Sequence, residues 1–100
     1  MKYNKLVRNK IPEIIRNKGE SCLTHIASDD EYQQKLKEKL QEEVDEYLQD
    51  PSKEELADIL EVIYALCNFH QTDKEDLENI RKNKAEERGG FGERIILDES

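Results

Sequence analysis

The break at Asp50-Pro51-Ser52 limits the fold more than any other stretch of this chain. On each side of it lies a window with helical periodicity. Asp50-Pro51 ends the first helix, and Ser52, followed three residues later by Glu55, caps the second. So short a connection makes the two helices antiparallel neighbours. Glu46, near the end of one, and Glu55, near the start of the next, then lie at the same end of a helical hairpin.

Acids stand where such helices ordinarily carry core residues. At ~100° per residue, Tyr32, Leu36, Leu40, Val44, Tyr47 and Leu48 fall on one arc of the first helix. Glu43 lies inside that arc, Glu46 on its flank, and Glu42 outside it toward solvent. On the second helix, Leu56, Ile59, Leu60, Val62, Ile63, Leu66, Cys67 and Phe69 define a broad apolar arc. Glu55 lies inside it and Asp58 on its edge. A carboxylate in a core is costly unless it is paired or bound to a metal. Glu43, Glu46, Glu55 and Asp58 are therefore candidate ligands of a hard divalent ion such as Mg²⁺, which takes oxygen donors.

A plainer reading competes. Acids on helices are commonly solvated surface, and 40% of the residues are charged. That accounts for Glu38, Glu42, Asp45 and Glu54, but not for Glu43 and Glu55. Glu55 alone has a further explanation, as the returning member of the Ser52 capping box.

Composition narrows the class. The chain has 100 residues, enough for a single domain spanning 1–100, and only 35% are hydrophobic. A lone chain of this size has a small core, so a homodimer or larger assembly is expected. Net charge is −8, which argues against binding a nucleic-acid polymer. No apolar run is long enough for a membrane span. Lys2, Lys5, Arg8 and Lys10 precede no apolar segment of the signal-peptide kind. A cytoplasmic protein with Cys22 and Cys67 as free thiols is expected.

The remaining segments frame the hairpin. Asn9 can cap a short helix through Ile11, Pro12, Ile14 and Ile15, with Gly19 as its stop. Ser21–Ile26 and Arg94–Leu97 are β-prone and could pair as a minor two-stranded element. Long helices are expected near 29–49, 52–70 and 73–88, the third opened by the capping pattern Thr72-Asp73-Lys74-Glu75. The second is apolar on most of its surface past Glu61 and should be central. The fold class is thus all-α, an antiparallel helix bundle completed by association. On the third helix Arg81, Lys84 and Arg88 recur at helical spacing. Gly89-Gly90-Phe91 and Arg94 follow. These bases either pair with Glu78, Glu86 or Glu87 as a solvated stripe, or grip phosphate with help from Lys5, Arg8 and Lys10.

Cys22-Leu23-Thr24-His25 and Cys67-Asn68-Phe69-His70 both read Cys-x-x-His and would offer four zinc ligands. Their spacing matches no common zinc pattern, and Cys67 already belongs to an apolar arc.

Taken together, Glu42-Glu43-Val44-Asp45-Glu46 and Glu55-Leu56-Ala57-Asp58 resemble the Glu-Glu-x-x-Glu and Glu-x-x-Asp motifs of the MazG-like all-α nucleotide pyrophosphohydrolases. Lys5-Leu6-Val7-Arg8-Asn9-Lys10-Ile11-Pro12 and Glu87-Arg88-Gly89-Gly90-Phe91 resemble the branch similar to phosphoribosyl-ATP pyrophosphohydrolase. The likeness covers nearly the whole chain. It departs in a shorter stretch between the acid motifs and in Asn9, where the branch pattern has Asp. The resemblance implies Mg²⁺, or Mn²⁺ in its place, on Glu43, Glu46, Glu55 and Asp58. It implies hydrolysis between the α and β phosphates of a nucleotide, with Glu42 or Glu46 receiving the proton of the attacking water. Arg81, Lys84, Arg88, Arg94, Lys5 and Arg8 would neutralise the polyphosphate. A non-catalytic helical dimer that senses nucleotides or binds a partner is the alternative.

Overall fold

The computed structural model describes residues 4–100. Four helices follow one another: α1 at Ile11–Asn17, α2 at Asp29–Gln49, α3 at Lys53–Phe69 and α4 at Lys74–Arg88. The three long helices start and stop within a residue or so of the expected positions. Their caps explain why. Ser28 accepts from the Glu31 N–H, Ser52 from the Glu55 N–H and Asp73 from the Asp76 N–H. Each supplies an acceptor to an N–H that the helix leaves unpaired. For α4 the cap is Asp73 and not Thr72, one residue later than the capping-box pattern suggested.

Two local expectations do not hold. Asn9 does not cap α1. Lys10 occupies that position without a side-chain cap bond, and Pro12 in the first turn tolerates the missing donor. Gly19, at φ +82°, stops the helix in the left-handed region that glycine adopts cheaply. Nor do 21–26 and 94–97 form the short β pairing. Among the described residues there is no strand. Leu23 and Ile26 are fully exposed, and Ile95, Ile96 and Leu97 nearly so. Strand propensity needs a packed face and a paired neighbour to take effect, and these segments have neither.

The core sits between α2 and α3. The ring of Tyr32, at the start of α2, meets that of Phe69, at the end of α3, edge to face at 5.9 Å. The two helices therefore run antiparallel, as the short turn requires. α4 packs only on α3, which makes α3 the central helix. Lys74 of α4 lies 4.3 Å above the Tyr64 ring, a cation–π contact at this second junction.

Few side chains are fully covered. Among the described residues Leu36, Val62 and Cys67 form the buried apolar set, and Glu43 is buried with them. Leu48, Leu56, Leu60 and Ile80 remain exposed. The apolar arc of α3 is wider than one chain covers. The accessible surface is 9188 Å², against roughly 5,900 Å² for a typical folded monomer of this mass. The radius of gyration is 17.7 Å, against about 13 Å for a compact domain of this length. No described helix is long and apolar enough to cross a membrane.

Candidate metal centre

Three of the four expected acids come together at the turn end of the α2–α3 hairpin. Glu43 of α2 and Glu55 and Asp58 of α3 each offer a carboxylate oxygen within 4.8 Å of the others. Glu46 is exposed and stands outside that trio. Its charge nevertheless reaches Glu43.

Burial makes this cluster unusual. Glu43 is 6% exposed. One oxygen, Oε1, lies 3.2 Å from the Lys39 Nζ. The other, Oε2, is buried with no hydrogen-bond partner, and so is Oε2 of Glu55. Buried carboxylate oxygens without partners are rare and costly. The capping explanation for Glu55 covers only its backbone. Ser52 accepts from the Glu55 N–H at 3.2 Å, but the carboxylate makes no return bond among the described residues.

Three basic side chains surround the acids. Lys39 Nζ lies 3.3 Å from Glu42 Oε2 in addition to its contact with Glu43. Lys5 Nζ lies 3.3 Å from Glu42 Oε1. Arg8 donates from Nη2 to Asp58 Oδ1 at 2.7 Å. Glu42 is thus half-covered by two lysines rather than turned to solvent, because the N-terminal segment crosses its side of α2. The acid motifs do not mark Lys39. Its positions three and four before Glu42 and Glu43 were the available signal.

These surroundings set the proton affinities. Burial pushes the Glu43 carboxyl up. Lys39 opposes this, and the charges of Glu46 and Asp58 add to it, leaving Glu43 above its ordinary range. Burial also pushes Glu42 upward, but Lys39 and Lys5 outweigh it and hold Glu42 low. Burial lowers Lys39, and its bonds to Glu43 and Glu42 overcome that, so its ammonium is held charged. The acids Glu42, Glu43, Glu46, Glu55 and Asp58 face the bases Lys5, Lys39 and Arg8, which leaves a surplus of two negative charges.

The donor set suits a hard divalent ion. It is all oxygen, and an ion at 2.0–2.6 Å from each donor keeps its donors within about 5 Å of one another, a limit that the trio meets at 4.8 Å or less. Cysteine and histidine offer no rival group among the described residues. His25 pairs with Glu31 at 2.9 Å, Cys22 lies against the Pro12 carbonyl at 3.9 Å, and Cys67 is buried.

Arg81 donates from Nε to Glu78 at 3.0 Å on its own helix. It lines an open groove between α3 and α4 with Leu60, Ile63, Tyr64 and Leu77. Lys84 and Arg88 are exposed on α4, and Arg94 follows in the C-terminal segment. No hydrogen bond or ion pair among the described residues joins these four to the acids. Of the bases read as phosphate ligands, Lys5 and Arg8 are the two that stand at the cluster. No family model, no curated protein and no solved structure matches the chain.

Proposed function

We propose that this protein is a Mg²⁺-dependent nucleotide pyrophosphohydrolase of the MazG-like kind. It would hydrolyse a nucleoside triphosphate or a related nucleotide, such as phosphoribosyl-ATP, between the α and β phosphates. The products are pyrophosphate and a monophosphate. The observation that carries this reading is the pair of buried, unpartnered oxygens on Glu43 and Glu55 beside Asp58. A protein that only presented acidic helices to solvent would have no reason to bury them.

Glu43, Glu55 and Asp58 would hold the ion, with Glu46 beside them. When bound, Mg²⁺ or Mn²⁺ offsets the charge on phosphate oxygens and acidifies water. Glu46 is the better placed of the two candidate bases. Its charge reaches Glu43 and it makes no ion pair among the described residues, whereas Glu42 is held low by two lysines and binds a proton weakly. Glu42 would orient the water or keep Lys39 in place. Lys5 and Arg8 would meet the polyphosphate at this site. Arg81, Lys84, Arg88 and Arg94 make no bond to the acids among the described residues, and would reach the polyphosphate beyond the ion or from another copy. We place the protein in the cytoplasm.

The test is pyrophosphate release across ordinary and modified nucleoside triphosphates, with and without Mg²⁺. Mg²⁺-dependent turnover of at least one is expected. Binding without turnover would favour the alternative, a nucleotide-sensing or partner-binding helical module.

Association belongs to the same proposal. The surface exceeds that of a compact monomer by roughly 3,300 Å², more than one partner's share of an ordinary stable interface. The exposed Leu48, Leu56 and Leu60 lie on the hairpin helices that also carry the acids. A homodimer or larger assembly is expected in sedimentation equilibrium at micromolar concentration. A monomer there would contradict it.

A further inference from the structure

The N-terminal segment 4–10 lies across the hairpin and ties both of its helices. Lys35 of α2 donates to the Asn4 carbonyl at 2.8 Å. Lys5 pairs with Glu42 of α2, and Arg8 pairs with Asp58 of α3. Asp58 is also one of the three clustered acids. The segment has no regular structure before α1 and is exposed along most of its length, with only Leu6 half-buried. A cavity of about 30 Å³ remains between it and α2. Electrostatics hold this arm, with little packing beneath it.

We infer that the arm is a displaceable counter-ion strap: Arg8 neutralises Asp58 in the metal-free site, and a divalent ion evicts it. The inference rests on the metal reading above. A guanidinium on Asp58 Oδ1 and a divalent ion on the same carboxylate repel each other, whichever oxygen the ion takes. The ion carries twice the charge and gains Glu43 and Glu55 as well. Arg8 and Lys5 side chains are 56% and 45% exposed, and ion pairs that exposed hold weakly. Lys39 is the opposite case. Its side chain is 19% exposed, and it bonds two acids of its own helix, so it stays. Once evicted, Arg8 swings a short distance on a segment anchored at α1. It then becomes a free, forked donor for phosphate oxygens. The same side chain would neutralise Asp58 before the ion binds and grip the substrate afterwards.

The test is Mn²⁺ titration, read by the loss of the free-ion signal in electron paramagnetic resonance. It uses the full chain and the Arg8→Gln and Arg8→Lys variants. Removing the competing charge should tighten Mn²⁺ binding about threefold or more in Arg8→Gln, while Arg8→Lys stays near the parent. Arginine modification supplies the second reading. Mn²⁺ should speed the reaction of Arg8 with phenylglyoxal in the parent by freeing its guanidinium from Asp58. Unchanged or weaker Mn²⁺ binding in Arg8→Gln overturns the strap and leaves the metal reading standing. So does an Arg8 whose reactivity is indifferent to Mn²⁺. If the parent binds no Mn²⁺ at all, both fall.

Discussion

Glu55→Gln should abolish Mg²⁺-dependent pyrophosphate release, lowering it on the order of 10²-fold or more. Even groups that merely support metal ligands cost 10–100-fold when removed, and Glu55 would bind the ion directly. The substitution keeps the shape of the side chain and the Ser52 cap, which uses only the Glu55 backbone N–H. Stability should respond in parallel. An ion present at a hundred times its dissociation constant stabilises by about 2.7 kcal/mol. For a domain of this length that is roughly 10–20 °C in Tm. The parent should show that rise with Mg²⁺ and the Glu55→Gln protein should not. Glu38→Gln, on α2 but outside the cluster, should alter neither quantity. Its carboxylate is half-exposed and pairs only with Lys35 at 3.5 Å.

The Mg²⁺-dependent rise should also depend on pH, with a definite sign. Folding raises the Glu43 carboxyl above its ordinary 4.5, so the folded chain holds this proton more tightly than the unfolded one. Its contribution to the metal-free fold is complete below that ordinary value and is lost as pH rises through the raised one. The ion needs the carboxylate. The Mg²⁺ increment should therefore be small near pH 4.5 and grow as pH rises through the range in which Glu43 ionises. A Glu55→Gln protein that turns over nucleotide like the parent, or a parent whose melting ignores Mg²⁺, would sink the metal reading.

Leu36→Ala should unfold much of the protein near body temperature. Leu36 is 1% exposed and is the most thoroughly buried large side chain among the described residues. Truncating such a leucine costs about 2–5 kcal/mol, and whole domains have only about 5–15 kcal/mol. This chain has few buried partners to spare, so the lower end of that range applies. A fall in Tm of about 10 °C at least is expected. Ile96→Ala, at 78% exposure in the C-terminal segment, should change stability by no more than the ~0.5 kcal/mol usual for surface changes. Equal effects from the two would mean that the α2–α3 seam is not the core.

The hairpin was readable because every signal for it is local. Ser28 and Ser52 cap, Asp50-Pro51 breaks, and the apolar residues repeat at helical spacing. The same periodicity placed Glu43 in the interior, where it is found. It overstated α3, because an arc that includes Leu56 and Leu60 says which residues prefer burial and not what is available to bury them. The β-prone runs at 21–26 and 94–97 misled for the same reason. Propensity there has no packed surface to act on. The Arg8–Asp58 pair lay out of reach, since nothing in the spacing of residues fifty positions apart announces that they touch. Glu42 was misplaced with it, because the arm that covers one side of α2 is tertiary.

The closed end of the hairpin also bears on how fast the chain folds. Glu43, Glu55 and Asp58 sit close together in sequence on either side of the Asp50–Ser52 turn, so their meeting requires only a short loop to close. Structures built on such near-neighbour contacts form quickly. Closing this hairpin brings like charges together. Those carboxylates should slow its closure, and a divalent ion should relieve the repulsion. Mg²⁺ would then raise the refolding rate itself, where a ligand recruited only by the finished fold would merely slow unfolding.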